Sequence, residues 1–276
     1  MNSALSLLSR LVGAKDDATE AYGYPHIDLF FWRPEGNQLN FGDHLARVVV
    51  TKLLADQGHL LEEETIASRR LFAVGSVLHF ANDGDVVWGS GVNGKVDAQL
   101  HRFRSLDVRA VRGPLTRTFL MERGIAVPEI YGDPALLLPR LFPGRFAPRA
   151  ASPYVVVPNL HDMAPAQQAK MRHLVSPMTS WNRCVAEILK GELVISSSLH
   201  GIIVAEAYGI PARYLRLSET ENIFKYNDYM QGTGRQAIEP AGSVEEALEM
   251  GGMSPPVFDP DALMAAFPLD LWSQPD

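Results

Sequence analysis

Short apolar runs alternate with longer segments of helical spacing along most of the chain, and glycine-rich turns separate them. Runs such as HIDLFFW (26–32), LFAVGS (71–76) and DVVW (85–88) predict buried strands, because short continuous apolar runs bounded by turn signals are typical of parallel sheets. The segment NFGDHLARVVVTKLLADQG predicts a helix that starts at Gly42 and Asp43. Strands that alternate with helices in this way indicate an α/β fold with parallel sheets.

The alternation is interrupted by RLFPGRFAPRAASP (140–153), which is rich in proline, glycine and arginine and has no periodicity. Such a composition predicts a linker. The pattern then restarts with apolar runs in SPYVVVP, ELVIS and ARYLRL (212–217). We therefore predict two α/β domains, residues 1–145 and 146–276, that face a cleft. In open α/β sheets ligands bind beyond the carboxyl ends of the strands, which here are VGS, WGSG, VRGP, YGDP and SSSLHG.

Composition narrows the classes of function. The formal net charge of the 276 residues is −7, which argues against nucleic-acid binding through a strong positive field. Cys184 is the only cysteine, so an internal disulfide and multi-cysteine zinc sites are excluded. Because the histidines show no ligand spacing, we predict no metal site.

The start of the chain, MNSALSLLSRLVGAKDD, has no basic region before its apolar run. A secretory signal is therefore not expected, and no apolar run reaches the roughly 20 residues that span a bilayer. The prediction is a cytoplasmic protein. Its weakly amphipathic start allows peripheral contact with the inner face of the membrane or with a partner, although a frayed first helix is the simpler interpretation.

The segment ISSSLHG (195–201) is the strongest candidate for chemistry. A helix that begins after the serines presents unpaired N–H groups and the positive end of its dipole, where phosphate and carboxylate bind. The hydroxyls of Ser197 and Ser198 add donors, Gly201 allows a ligand or a neighbouring backbone to approach closely, and His200 can donate to an anion or move a proton. The alternative is a serine that only caps the helix beside a packed histidine.

Other candidates lie at further strand ends. Arg112 in VRGP can hold a carboxylate or phosphate with its planar fork, or form an ordinary salt bridge. Asn40 and Asp43 in NFGDH, and Asp133 in YGDP, are candidates for binding a sugar hydroxyl or accepting a proton, or are helix caps. Lys225 can reach an anion or be a solvated lysine.

The order of NFGD, VRGPLT, YGDPALLLP, SSSLHG and IIVAEAYGIPA resembles that in the polysaccharide pyruvyl transferase family, over about residues 37 to 230. The resemblance implies a glycosyltransferase-B-like (GT-B-like) pair of Rossmann-like domains. It implies transfer of the pyruvyl group of phosphoenolpyruvate onto a pair of sugar hydroxyls as a pyruvate ketal, in assembly of exopolysaccharide or other surface glycans. Arg112 and His200 match the positions that bind phosphoenolpyruvate in that family.

The resemblance further implies that phosphoenolpyruvate is a donor substrate rather than a cofactor. The acceptor is then a polysaccharide or its lipid-linked oligosaccharide precursor, with the acceptor on the side of residues 1–145 and the donor on the side of 146–276. We assign His200 to the anion and as a candidate acid, and Asp43 or Asp133 as the candidate base. The competing hypotheses are a nucleotide-sugar-dependent glycosyltransferase of the same architecture and a non-catalytic glycan-binding protein.

Overall fold

The computed structural model describes residues 27–34, 39–63, 69–219 and 221–272. Its strands form two sheets, and all pairings between neighbouring strands of each sheet are parallel. The first sheet has the order β1 (Ile27–Phe30), β2 (Arg69–Phe72), β3 (Val86–Trp88), β4 (Asp107–Ala110), and the second has the order β5 (Val155–Val157), β6 (Val194–Ser196), β7 (Ala212–Tyr214). The predicted α/β fold with parallel sheets is confirmed.

Helices follow most of these strands. They are α1 (Phe41–Asp56), α2 (Pro114–Met121), α3 (Leu138–Leu141), α4 (Met163–Gln168), α5 (Trp181–Ile188), α6 (Leu199–Ala207), α7 (Phe224–Gly232), α8 (Val244–Met250) and α9 (Pro260–Ala265). Short 3₁₀ helices cover Leu78–Phe80, Ala98–Leu100, Pro134–Leu137 and Leu269–Leu271. In the described part of the chain, no helix is long and apolar enough to cross a membrane.

Two sequence predictions differ from the structure in detail. Helix α1 begins at Phe41, before the predicted start, because the side chain of Asn40 caps it and accepts a hydrogen bond from the N–H of Gly42. The apolar run LFAVGS is a strand only to Phe72, and its remainder forms a buried turn at Gly75, whose φ of +104° favours glycine. The predicted amphipathic start of the chain lies outside the described residues.

One apolar cluster spans both sheets. Buried residues of both sheets and of α1, α5 and α6 belong to the same cluster, which also includes the 3₁₀ helix Pro134–Leu137. That 3₁₀ helix packs against both α1 and α6, so it brings the amino ends of these two helices together. The segment 140–153, predicted as a linker, begins within α3 and places Phe142 and Phe146 against Trp181. The domain division at residue 145 stays a prediction.

Candidate functional site

A pocket of about 240 Å³ lies where the carboxyl ends of the two sheets meet. The loops after β1, β2 and β3 and the start of α1 line one side, and the loops after β5 and β6 and the start of α7 line the other. This position follows the general behaviour of open α/β sheets, whose ligands bind beyond the carboxyl ends of the strands. The lining residues used below are Trp32, Asn40, Asp43, Ser76, His79, Phe80, Lys95, Asn159, His161, Ser198, His200, Glu221 and Lys225.

Two helix amino termini abut at the floor of the pocket. A Cβ atom added to Gly42 in the first turn of α1 would lie only 2.3 Å from Nδ1 of His200 in the first turn of α6. Glycine is therefore required at position 42, because a larger residue would displace the imidazole. Ser198 caps α6, its hydroxyl accepting from the N–H of Gly201 at 3.4 Å. The cap of α6 thus positions His200 in the first turn of that helix. Asp43 follows Gly42 in the first turn of α1 and so lies close to His200.

Asp133 lies behind His200 and caps the 3₁₀ helix Pro134–Leu137, with Oδ1 accepting from the N–H of Ala135 at 2.9 Å. Its other oxygen, Oδ2, is 3.8 Å from Nε2 of His200. Among the described residues both atoms are buried and neither has a hydrogen-bond partner. Buried polar atoms without partners are costly, so at a pocket these two atoms are candidates for handling a proton or a substrate group.

Burial is the largest cause of the shifted pKa values of Asp43, Asp133 and His200. It raises the pKa of Asp43 to about 7, against the opposing charge of Lys225 and reinforced by Asp133. It raises the pKa of Asp133 to about 6, although the N–H of Ala135 and the guanidinium of Arg112 oppose the rise. Burial, then Lys225 and Arg112, lower the pKa of His200 to about 3. At neutral pH the imidazole of His200 is therefore neutral. The carboxyl groups of Asp133 and Asp43 titrate at about pH 6 and about pH 7.

The cationic side of the pocket is formed by two lysines that share a carboxylate. Glu221 accepts a hydrogen bond from Lys95 through Oε1 and from Lys225 through Oε2. Burial lowers the pKa of Lys225, while Glu221 opposes that shift. Lys225 in turn lowers the pKa values of Asp43 and His200, so its positive charge acts on both of these groups.

Arg112 is not on the pocket surface, where the sequence places it. Its side chain is fully buried and pairs with the fully buried Asp228, Nε to Oδ2 at 3.0 Å and Nη2 to Oδ2 at 2.9 Å. Its remaining donors reach Oγ of Ser76 and the carbonyl of Val92. Because Ser76 lines the pocket, Arg112 supports the pocket wall from behind.

Ser197 and Gly201 do not line the pocket either, and both contact neighbouring segments of the protein instead. The hydroxyl of Ser197 accepts from the N–H of Asn159 at 3.0 Å. A Cβ atom at Gly201 would lie 2.3 Å from Oγ of Ser196, so this glycine permits a close approach of β6 to α6. The sequence predicts that Gly201 allows either a ligand or a neighbouring backbone to approach closely. In the structure Ser196 of β6 occupies that space. Asn40, Asp43, Ser198, His200 and Lys225 do line the pocket.

Several lining residues were not identified from the sequence. Lys95 follows WGSGVNG at the carboxyl end of β3, so the rule that placed WGSG at the cleft extends to it with a longer loop. Trp32 likewise follows β1. Glu221 lies in a segment without periodicity or turn signal, and its role depends on Lys95, which is 126 positions away in the sequence. No local pattern indicates such a pairing.

Known proteins resemble this chain in sequence or in structure. The chain is 28% identical over 240 residues to the succinoglycan biosynthesis protein ExoV of Rhizobium meliloti (strain 1021), covering 80% of this chain and 71% of that protein. It is 26% identical over 208 residues to the uncharacterized protein L143 of Acanthamoeba polyphaga mimivirus, covering 71% of each. A solved structure of an uncharacterized Klebsiella pneumoniae subsp. pneumoniae NTUH-K2044 protein aligns with 87% of this chain and 100% of its own, at a TM-score of 0.48 and 10% identity.

A sequence profile of one family matches residues 40–219, the part of the chain that runs from the cap of α1 past the end of β7. The match therefore includes Asn40, Asp43, Asp133, Ser198 and His200, and it covers well over half of the chain. The family is the one that the order of motifs indicates, and the chain belongs to the polysaccharide pyruvyl transferases.

Proposed function

We propose that this protein transfers the pyruvyl group of phosphoenolpyruvate onto two neighbouring hydroxyls of a sugar, forming a pyruvate ketal on an exopolysaccharide or its lipid-linked precursor. The two sheets and their helices then act as the two Rossmann-like halves of a GT-B-like enzyme. The observation that carries the proposal is the pocket, in which Asp43 and His200, with Asp133 directly behind His200, meet two lysines and a capped helix terminus.

The charges of the pocket suit this donor. Phosphoenolpyruvate carries a phosphate and a carboxylate, and both need cations or N–H donors in a partly desolvated site. The amino end of α6 with Ser198 can take one group, and Lys225 lies close enough to His200 to lower its pKa. The sequence predicts that Arg112 binds the donor together with the SSSLHG turn. Because Arg112 is buried, its proposed role is to support the donor site through Ser76 and the pocket wall.

The acid–base roles follow from the ionisation of the pocket. Asp43, with a pKa of about 7, keeps its proton below about neutral pH and is the candidate donor of that proton to C3 of phosphoenolpyruvate. The sequence predicts the opposite roles, with His200 as a candidate acid and Asp43 as a candidate base. The roles are exchanged here because His200, with a pKa of about 3, is not protonated at neutral pH and cannot act as the acid. A bound anion raises the pKa of His200 and so makes the neutral imidazole a stronger base. His200, with Asp133 beside it, is therefore the candidate acceptor of the hydroxyl proton.

The atoms and charges balance in this scheme. C3 receives one proton, C2 becomes electrophilic, and the first sugar hydroxyl attacks C2 while His200 accepts its proton. The C2–O bond to phosphate then breaks, and the second hydroxyl closes the ketal. Of the two hydroxyl protons released, one restores Asp43 and the other leaves with the product as hydrogen phosphate.

The acceptor is expected to contact the wall formed by the first half of the chain. Trp32 and Phe80 lie at the pocket beside His79, and 41% of the Phe80 surface is exposed. Exposed aromatic rings beside polar groups suit the alternating apolar and hydroxyl faces of a sugar. Trp32→Ala is expected to raise the KM for the acceptor about tenfold and leave the KM for phosphoenolpyruvate unchanged, measured by varying each substrate in turn. A rise in the donor KM alone would contradict this assignment.

The function is tested by incubating the protein with phosphoenolpyruvate and a panel of free and lipid-linked oligosaccharides. The expected result is phosphate release that depends on the acceptor, with a product heavier by one pyruvate less one water. His200→Ala is the inactive control. Turnover of nucleotide sugars instead would identify a glycosyltransferase, and binding of glycans without any turnover would identify a binding protein.

A further inference from the structure

A buried carboxylate lies between two lysines of the pocket. Glu221 is 7% exposed, and its two oxygens accept hydrogen bonds from the ammonium groups of Lys95 and Lys225. The side chain of Lys225 is 16% exposed and that of Lys95 is 34% exposed. All three residues line the pocket, so the arrangement differs from a surface ion pair, in which the charges are already in water.

The three residues come from two parts of the chain that are firmly attached to each other. Lys95 is in the loop after β3, and Glu221 and Lys225 lie at the amino end of α7. The side chain of Asn222 donates to the carbonyl of Gly94 at 2.7 Å, and a Cβ atom at Gly94 would lie 2.5 Å from Cβ of Phe224. The two backbones are therefore held in contact, and the position between the lysines is fixed by the fold.

This geometry reproduces the recognition of an anion. Two ammonium groups converge on the two oxygens of one carboxylate, as they would on a carboxylate or phosphate of a ligand. Two lysines and one glutamate carry a formal net charge of +1, so Glu221 alone does not neutralise the lysine pair. A second anion that enters the pocket meets lysines whose hydrogen bonds to Glu221 it can replace.

We infer that Lys95 and Lys225 form an anion subsite of the donor, separate from the amino end of α6, and that Glu221 occupies it until the donor displaces the carboxylate. The inference rests on the proposed function, since it assigns the second anionic group of phosphoenolpyruvate to the lysine pair. Lys95 is thereby a donor-binding residue, and Glu221 sets how tightly the donor is held by competing with it.

The test uses inorganic phosphate and phosphoenolpyruvate as separate probes in titration calorimetry. In Glu221→Gln the neutral amide no longer competes for both ammonium groups, and we expect both probes to bind about tenfold more tightly. In Lys95→Met we expect both to bind about tenfold more weakly. Glu219→Gln, which changes a carboxylate that is 83% exposed, is the matched control and should bind as the wild type does.

Two results would overturn the inference. Unchanged or weaker binding in Glu221→Gln would make Glu221 a residue that orients the lysines, and unchanged binding in Lys95→Met would remove the subsite. Lys95 is partly exposed, so its variant decides the matter even if Glu221→Gln does not fold. Phosphate binding requires no transfer reaction. The subsite therefore stands or falls by the phosphate titrations, and the proposed reaction by turnover.

Discussion

Arg112→Met is expected to lower the free energy of unfolding by about 3–5 kcal/mol, because it leaves a buried carboxylate without its cation. Asp228 is fully buried and pairs with Nε and Nη2 of Arg112. Thr116 also donates to it through its backbone N–H and its hydroxyl, but these neutral donors do not cancel its charge. Urea unfolding at neutral pH measures the loss.

A second variant separates the buried charge from the lost packing. In Arg112→Met/Asp228→Asn the amide oxygen still accepts from Thr116 while the charge is gone, so we expect at least half of the lost stability to return. Arg109→Met is the matched control, since Arg109 pairs with Asp107 and Asp270 on a side chain that is 29% exposed, and exposed pairs contribute about 0–1 kcal/mol. If Arg112→Met is no less stable than Arg109→Met but loses phosphoenolpyruvate binding, Arg112 contacts the donor directly, as the sequence suggests.

The sequence located the strand ends of the site because local patterns specify them. An apolar run followed by a cap residue places Ser198 and His200 at the start of α6, and the same logic places Asn40 and Asp43 at the start of α1. Parallel strands end at one edge of a sheet, so residues distant in sequence were expected near one cleft. The pocket at the ends of both sheets agrees with that expectation.

The direction in which a side chain points depends on distant partners. Arg112 turns inward because Asp228, 116 positions later, is buried beside it, and Glu221 meets Lys95 only in the folded chain. Burial likewise cannot be read from a motif. The dipole of α6 alone predicts a lowered pKa for His200, whereas burial followed by Lys225 and Arg112 is the larger cause in the structure. The raised pKa of Asp43 has the same origin.

Asp43→Asn is expected to reduce kcat by a factor of about 10²–10⁴, the usual contribution of a positioned acid. The amide oxygen can still accept the hydrogen bond from Asn40, so the site should keep its shape while it loses the proton for C3. Wild-type kcat is expected to fall as the pH rises above about 7, where Asp43 loses its proton. Asp56→Asn, an exposed change at the end of α1, should leave kcat and this pH dependence intact. If the Asp43→Asn variant keeps more than about a tenth of wild-type kcat, Asp43 is not the acid of the reaction.

The same substitution is expected to stabilise the protein at high pH, which separates a catalytic role from damage to the fold. The folded pKa of Asp43, about 7, lies above its ordinary value of 3.8, so the folded state binds the proton more tightly than the unfolded chain does. The contribution of Asp43 to stability is therefore fully present below pH 3.8 and is lost as the pH rises through about 7. Asparagine never carries the charge, so urea unfolding at pH 8 should show the variant to be more stable than the wild type, and the difference should shrink towards pH 4. An equal difference at both pH values would mean that the stability change does not come from the proton of Asp43.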